Sequence, residues 1–205
     1  MDEHKVLDQL RNKLGYSVKS TIKIRKYVDL LLKANKKYNL ISKTTERIIW
    51  LRHILDSAQI TKFLDRNQSK IIADFGSGAG LPGIIIALYN DKNRFHVKLY
   101  EKSPVKRTFL KKVINELNIH NVEIFGNIYS EKISTDIILC RAFKKLPEIM
   151  KISREIVKKP HKIIILKGRN ADKEIKELSI EGNYSYRLEK SITDHDSKII
   201  LIEVE

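Results

Sequence analysis

Asp74-Phe75-Gly76-Ser77-Gly78-Ala79-Gly80-Leu81-Pro82-Gly83 is the stretch on which the reading of this chain turns. It follows a β-rich run, Ile71 to Phe75, and leads straight into an apolar helical pattern, so it joins a strand to a helix. Glycines here let the backbone turn sharply and approach a ligand with no Cβ in the way. Pro82 suits the first turn of the following helix, where its absent N–H is not missed. Counting from Gly76, the sixth position is Leu81 and not glycine, so the dinucleotide fingerprint fails. No Lys-Ser/Thr follows the glycines, so the loop is not a P-loop either.

Downstream, short β-rich runs alternate with helical patterns: HVKLYE, VKRTFLKKVINEL, VEIFG, DIILCRA, LPEIMKISREIVK and KIIILKG. That alternation predicts a parallel sheet with helices on both faces. The tail departs from it. Tyr184 to Glu189 and Lys198 to Val204 are separated by little more than the turn Thr193-Asp194-His195-Asp196 and are expected to pair as a hairpin. Upstream, helices are expected over His4 to Leu14, Val18 to Tyr38 and Thr45 to Leu64, the last capped by Thr44 or Thr45. In the second, Ile22, Ile24, Val28, Leu31, Leu32 and Asn35 recur near helical spacing, with Lys23, Lys26, Lys33, Lys36 and Lys37 filling much of the rest. In the third, Ile48, Leu51, Ile54, Leu55 and Ala58 make an apolar stripe. The expected organisation is one domain, with a helical cap over residues 1–66 and an α/β core over 67–205.

The 205 residues carry 42% hydrophobic side chains, enough for one substantial core, and no apolar run approaches the roughly 20 residues of a membrane span. The N-terminus lacks a secretory pattern, so a cytoplasmic protein is expected. Cys140 stands alone and no Cys/His spacing suggests a metal site. Lys+Arg outnumber Asp+Glu by 40 to 25, a net charge of +15 that favours a polyanionic partner, nucleic acid foremost. Lys102, Lys106, Arg107, Lys111 and Lys112 form a second cationic set, read as a solvated face, whereas residues 19–37 are read as facing RNA.

The pattern Asp-x-Gly-x-Gly-x-Gly resembles the first motif of class I S-adenosylmethionine-dependent methyltransferases, whose loop wraps the methionine part of the cofactor. Glu101 ends the next strand, where an acid can accept both hydroxyls of an adenosine ribose. The competing reading is a structural turn and a solvated strand-end acid. Gly126-Asn127-Ile128-Tyr129 follows the third strand, at the level where this fold contacts adenine, though ordinary packing also explains it. The fold class expected is therefore α/β: a Rossmann-like, mostly parallel sheet with a C-terminal antiparallel hairpin, preceded by N-terminal helices. Two chemistries lack their motifs. The four prolines are never adjacent, which removes Asx-Pro-Pro-aromatic, and Cys140 lies inside an apolar strand with no proline before it. Guanine N7 needs neither device, because its lone pair attacks the methyl directly and no base is required.

Tyr38-Asn39-Leu40-Ile41, Arg52-His53-Ile54-Leu55-Asp56-Ser57, Gly76 to Ile84, Lys106-Arg107-x-Phe109-Leu110, Arg141-Ala142-Phe143 and Leu166-Lys167-Gly168 occur in this order. Together they resemble the RsmG family, also called glucose-inhibited division protein B, from about residue 20 onward. The resemblance implies methyl transfer from S-adenosylmethionine to N7 of guanine 527 in bacterial 16S ribosomal RNA, free or within the 30S subunit, by a monomer without metal or membrane. It places Gly76, Ser77, Gly78 and Leu81 in the cofactor loop, Ile128 and Tyr129 beside adenine, and Arg141 at the end of the fourth strand. The family's usual Gly-Arg-Ala-Glu stands here as Gly-Asn-Ile-Tyr. Arg141 is expected to hold the cofactor carboxylate or guanine O6, and Lys167 the RNA backbone or guanine carbonyl, with structural or solvated roles as the alternatives. Asn39, Arg52 and His53 are expected to pack the cap against the site. A different RNA or small-molecule acceptor, or an inactive RNA-binding assembly module, are the alternative functions.

Overall fold

A computed structural model describes residues 2–65, 68, 70–89, 95–129, 132–178 and 183–205. The expected boundary at residues 66 and 67 lies outside them. The chain opens with α1 (Glu3–Asn12), α2 (Val18–Tyr38) and α3 (Lys43–Glu46). Trp50–Leu55 then winds as a π-helix, Asp56–Ala58 (α4) as one α-turn and Gln59–Phe63 as a 3-10 turn. Strands and helices follow in alternation: β1 (Lys70–Phe75), α5 (Gly83–Tyr89), β2 (Phe95–Tyr100), α6 (Pro104–Leu117), β3 (Val122–Phe125), β4 (Ile137–Arg141), α7 (Leu146–Ile156), β5 (His161–Lys167) and α8 (Ala171–Lys176). β6 (Tyr184–Lys190) and β7 (Lys198–Val204) close the chain.

The seven strands form one sheet in the order β3-β2-β1-β4-β5-β7-β6. The first five are parallel, and β7 pairs antiparallel with both β5 and β6, the expected hairpin. Strand alternation sorts side chains to two buried faces. Ile72, Leu139, Ile164 and Leu201 face α5, α6 and the N-terminal helices, in one apolar cluster with Leu10, Ile24 and Leu31. Ala73, Ile138, Cys140 and Ile163 face α7. The chain builds outward from β1 through β2 to β3, then returns to lay β4 on the other side of β1. The carboxyl ends of β1 and β4 therefore form the switch point, where such sheets open a crevice.

α2 keeps its expected limits, capped by Ser17 and ended by Asn39 in the left-handed conformation. Its buried face differs from the expected one: Ile22 is 61% exposed, and Tyr27, Ser20 and Thr21 take the inner positions. The third expected helix is broken into short pieces, and Ser42, not Thr44 or Thr45, caps its start by accepting the Thr45 N–H. Ile48 is 46% exposed at the break, so it leaves the stripe that Ile54, Leu55 and Ala58 keep. Pro82 lies just before α5, its carbonyl accepting the Ile86 N–H. No helix of the described residues is long and apolar enough to cross a membrane, and no group of three potential metal ligands occurs among them.

Candidate active site

β1 delivers the chain to Gly76 and Ser77, whose N–H groups both donate to the Tyr100 carbonyl, 2.9 and 3.0 Å away. That pair ties the glycine loop to the end of β2. Gly76 has φ of +71°, and a Cβ there would sit 2.5 Å from the Phe143 ring. Both facts demand glycine. Glu101, at the end of β2, is buried and accepts the Gly78 N–H at Oε2 (2.9 Å) and the Ser103 N–H at Oε1 (2.8 Å). Each oxygen keeps lone pairs that a ligand hydroxyl can use. Beneath the loop, Asp74 Oδ2 accepts the Gly83 N–H, while its other oxygen has no partner among the described residues. Burial pushes this carboxyl up to about 7.

A cavity of about 400 Å³ opens over these groups, lined by Gly76, Glu101, Gly126, Ile128, Tyr129 and Phe143 among others. Ile128 is buried and Tyr129 is 56% exposed at the rim. Ser77, Gly78 and Leu81 lie behind the lining: the Ser77 hydroxyl donates to the Asp74 carbonyl, and Leu81 is packed in the core. A glycine-walled cavity with a buried acid on one side and apolar and aromatic walls on the other fits the methionine, ribose and adenine of S-adenosylmethionine. The N-terminal helices buttress this cradle. Tyr27 OH donates to the Ala79 carbonyl (2.9 Å) and Tyr16 OH to that of Ile85 (3.2 Å).

β4 ends in Arg141, and Ala142 follows with φ of +49°, a conformation non-glycine residues adopt at a cost. This turn sends Arg141 to one side and Phe143 to the other. Arg141 Nε donates to Asp56 Oδ2 (3.1 Å), Nη2 to the Arg52 carbonyl (2.6 Å) and Nη1 to His53 Nδ1 (3.1 Å). Arginine cannot accept, so Nδ1 is the acceptor and the ring carries its proton on Nε2, 2.9 Å from the Thr45 hydroxyl. Burial, then the Arg141 and Arg52 charges, lower the His53 pKa to about 3. Asp56 Oδ1 also accepts from Gln59 Nε2 (2.9 Å) and the Thr193 hydroxyl (2.8 Å), which ties the β6–β7 loop to the same carboxylate.

This network forms one wall of a second cavity, about 330 Å³, at the carboxyl ends of β4 and β5. Arg52, His53, Asp56, Arg141, Lys167 and Lys198 line it with Ser42 and Thr45. Lys167 already spends two of its three N–H donors, on the Lys144 carbonyl and on Glu174, both at 2.7 Å. Asn39 does not join: it is exposed, as the cap of α2. Arg52 and His53 do pack the N-terminal segment onto β4, through Arg141. Asp56, Thr193 and Phe143 have roles that sequence alone left unassigned. A buried acid among Ile54, Leu55 and Ala58 was the signal available for Asp56, since it needs a cationic partner.

The parallel sheet with its terminal antiparallel hairpin, and the glycine loop opposite a strand-end acid, define a class I S-adenosylmethionine-dependent methyltransferase. Within that class the chain belongs to the GidB family, described as rRNA small subunit methyltransferase G, whose model matches residues 20–200. A protein of that name from Pelagibacter ubique is 40% identical over 182 residues, 86% of this chain and 85% of the relative. Another from Orientia tsutsugamushi is 36% identical over 200 residues, 97% and 98% of the two chains. Among solved structures, a mutant of MtNAS in complex with S-adenosylmethionine aligns at TM-score 0.60 and 14% identity, covering 100% of this chain and 84% of that one. A putative methyltransferase, yhhF from Escherichia coli, aligns at 0.55 and 14%, covering 74% and 86%. At such identities the likeness is one of fold.

Proposed function

We propose that this chain transfers a methyl group from S-adenosylmethionine to N7 of guanine 527 in bacterial 16S ribosomal RNA. The observation that carries this reading is the second cavity: it adjoins the cofactor cavity across Ala142, is rich in cations and N–H donors, and its one histidine is a weak base. The relatives' name, ribosomal RNA small subunit methyltransferase G, supplies the RNA class.

Held in the first cavity, S-adenosylmethionine would supply an electrophilic methyl group for N7, its sulfur keeping the C–S electron pair to leave as a neutral thioether. No proton moves, because N7 attacks through an in-plane lone pair and the base ends with a positive charge. The protein's task is then position and electrostatics. Glu101 and the loop Gly76-Ser77-Gly78, backed by Leu81, hold the cofactor, with Ile128 and Tyr129 flanking adenine. Arg141 spends three of its five N–H donors on the protein, which leaves two for guanine O6. Asp56 lines the same cavity, so the charge developing on the base faces a carboxylate as well as a guanidinium. Lys167, anchored to Glu174 and Lys144, fixes the turn that carries Phe143 over Gly76 and keeps one N–H for the RNA.

The test is incubation of the chain with methyl-labelled S-adenosylmethionine and 30S subunits or free 16S RNA lacking the modification, followed by mapping of the labelled nucleotide. Label at N7 of that single guanine is the expected result. Label at another nucleotide keeps the cofactor and discards the acceptor, and cofactor binding without label in RNA discards the RNA substrate.

A further inference from the structure

α2 and α6 are clamped together at one end and open at the other. Lys23 Nζ donates to the Asn118 carbonyl (3.0 Å), and Lys26 Nζ to the Glu116 carbonyl (2.8 Å) with a further ion pair to its carboxylate (3.1 Å). Two lysines of the face expected to meet RNA are thus structural. Toward the C-terminal end of α2 the helices diverge into a groove of about 420 Å³. Phe109 forms part of its wall, Tyr38 is 45% and Val105 48% exposed, and Lys33, Lys37 and Lys112 surround them. No carboxylate lines it, and none among the described residues pairs with these three lysines. Lys37 Nζ lies 5.3 Å from the centre of the Tyr38 ring.

We propose that this groove is a second contact for single-stranded RNA, in which an unpaired base stacks on Tyr38 while Lys33, Lys37 and Lys112 hold the flanking phosphates. The proposal rests on RNA being the acceptor. An exposed aromatic among cations that no carboxylate of the described residues pairs, one of them against the ring itself, matches a π-face joined to a polyanion, since every base can stack and every phosphate can pair. Placement supports the same strand serving both sites. Tyr38 lies four residues from Ser42, which lines the acceptor cavity, so the two Cα atoms are at most about 14 Å apart. On the other side, Lys106 of α6 lines the cofactor cavity while Val105, Phe109 and Lys112 line the groove. The Lys23 and Lys26 clamps hold the two walls in place before any ligand arrives.

The experiment compares wild type with Tyr38→Ala, Tyr38→Phe and a Lys33→Gln/Lys37→Gln/Lys112→Gln triple variant. Each is titrated with a short single-stranded RNA oligonucleotide across a salt series, assayed for methyl transfer to 16S RNA and to 30S subunits, and titrated with S-adenosylmethionine. Tyr38→Ala is expected to weaken oligonucleotide binding about tenfold and Tyr38→Phe to restore it, because the phenyl face still stacks. The triple variant should lower the salt slope by about 2, the counterion release of three phosphates on a single strand. KM for RNA should rise in both, with S-adenosylmethionine affinity unchanged. Wild-type binding, slope and KM in the variants, while wild type methylates RNA, overturn the groove and spare the function. Oligonucleotide binding that wild type shows and the variants lose, with no methyl transfer to RNA by wild type, supports the groove and sinks the function. Variants impaired only on 30S subunits, with oligonucleotide binding intact, overturn the RNA occupant and mark the groove as a protein-docking face.

Discussion

The cofactor side and the acceptor side of this site are built in different ways. The loop side of the cofactor cradle comes from neighbouring segments of chain, the turn after β1 and the end of β2, and its bonds are mainly to backbone: Tyr100 carbonyl to Gly76 and Ser77, Glu101 to Gly78 and Ser103. The acceptor wall is made of side chains meeting across the molecule. Arg141 reaches Arg52, His53 and Asp56, more than 80 residues away in sequence, and Thr193 reaches the same Asp56 from the far hairpin. A backbone cradle can hold one invariant ligand, whereas a wall of side chains from three elements can be shaped for a particular acceptor.

If the cradle depends on backbone, its most damaging change is one that denies the backbone its path. Gly76→Val places a branched side chain at φ of +71° and into the Phe143 ring. The left-handed conformation alone costs about 1–3 kcal/mol. The clash comes on top, since Phe143 is held by the Ala142 turn. Isothermal titration should show S-adenosylmethionine binding lost, and methyl transfer with it. Binding within a few-fold of wild type would break the contrast, because the loop would then be as tolerant as a side-chain wall.

Arg141→Ala tests the other half. It removes the node joining Arg52, His53 and Asp56 and takes the partner from Asp56 Oδ2, while Gln59 and Thr193 still donate to Oδ1. A stability loss of about 3–5 kcal/mol is expected, and urea unfolding beside the activity assay separates it from the loss of transfer. The expected loss in kcat/KM for RNA is about 100-fold, or ~2.7 kcal/mol of transition-state stabilisation. S-adenosylmethionine affinity should hold within about threefold, because no residue of the cofactor cavity is touched. An equal fall in cofactor affinity would show that the two sides form one unit and return Arg141 to the cofactor carboxylate.

The same contrast explains what was legible in the sequence. The glycine loop, Glu101, the limits of α2 and the closing hairpin all follow from signals within a dozen residues: turn glycines, a strand-end acid, caps and a short turn. The broken helix after Ser42 did not. Ile48, Leu51, Ile54 and Leu55 keep helical spacing, and only tertiary demands, with His53 and Asp56 turned toward Arg141, favour a π-turn over a regular helix. Tyr27, three residues after Ile24 and four before Leu31, lies on the face that helical spacing marks, and the Ala79 carbonyl satisfies its hydroxyl there, whereas Ile22 falls outside that face. The lysines of α2 divide for a tertiary reason. Lys23 and Lys26 find acceptors on α6, and nothing in their spacing separates them from Lys33 and Lys37.

The smallest expected effect is one of sign. Asp74 lies under the cofactor loop with its carboxyl raised to about 7 from 3.8, and His53 lies in the acceptor wall with its ring lowered to about 3 from 6.5. Between pH 4 and 6.5 the folded chain holds a proton on Asp74 that the unfolded chain releases, and lacks one on His53 that the unfolded chain binds. Linkage then makes the two slopes opposite. The Asp74 contribution is full below about 3.8 and is lost as pH rises toward 7. The His53 contribution is full above about 6.5 and is lost as pH falls toward 3. Urea unfolding of wild type, Asp74→Asn and His53→Gln at several pH values separates them, because His161, also lowered by burial, is common to all three chains and cancels in differences. The stability of wild type relative to Asp74→Asn should fall as pH rises, and relative to His53→Gln should rise. Each slope is bounded by about 1.4 kcal/mol per pH unit for one proton. A slope that rises with pH for the Asp74 comparison as well would mean that the carboxyl beneath the loop is ionised in the folded chain, and that the cradle is held by charge as the acceptor wall is.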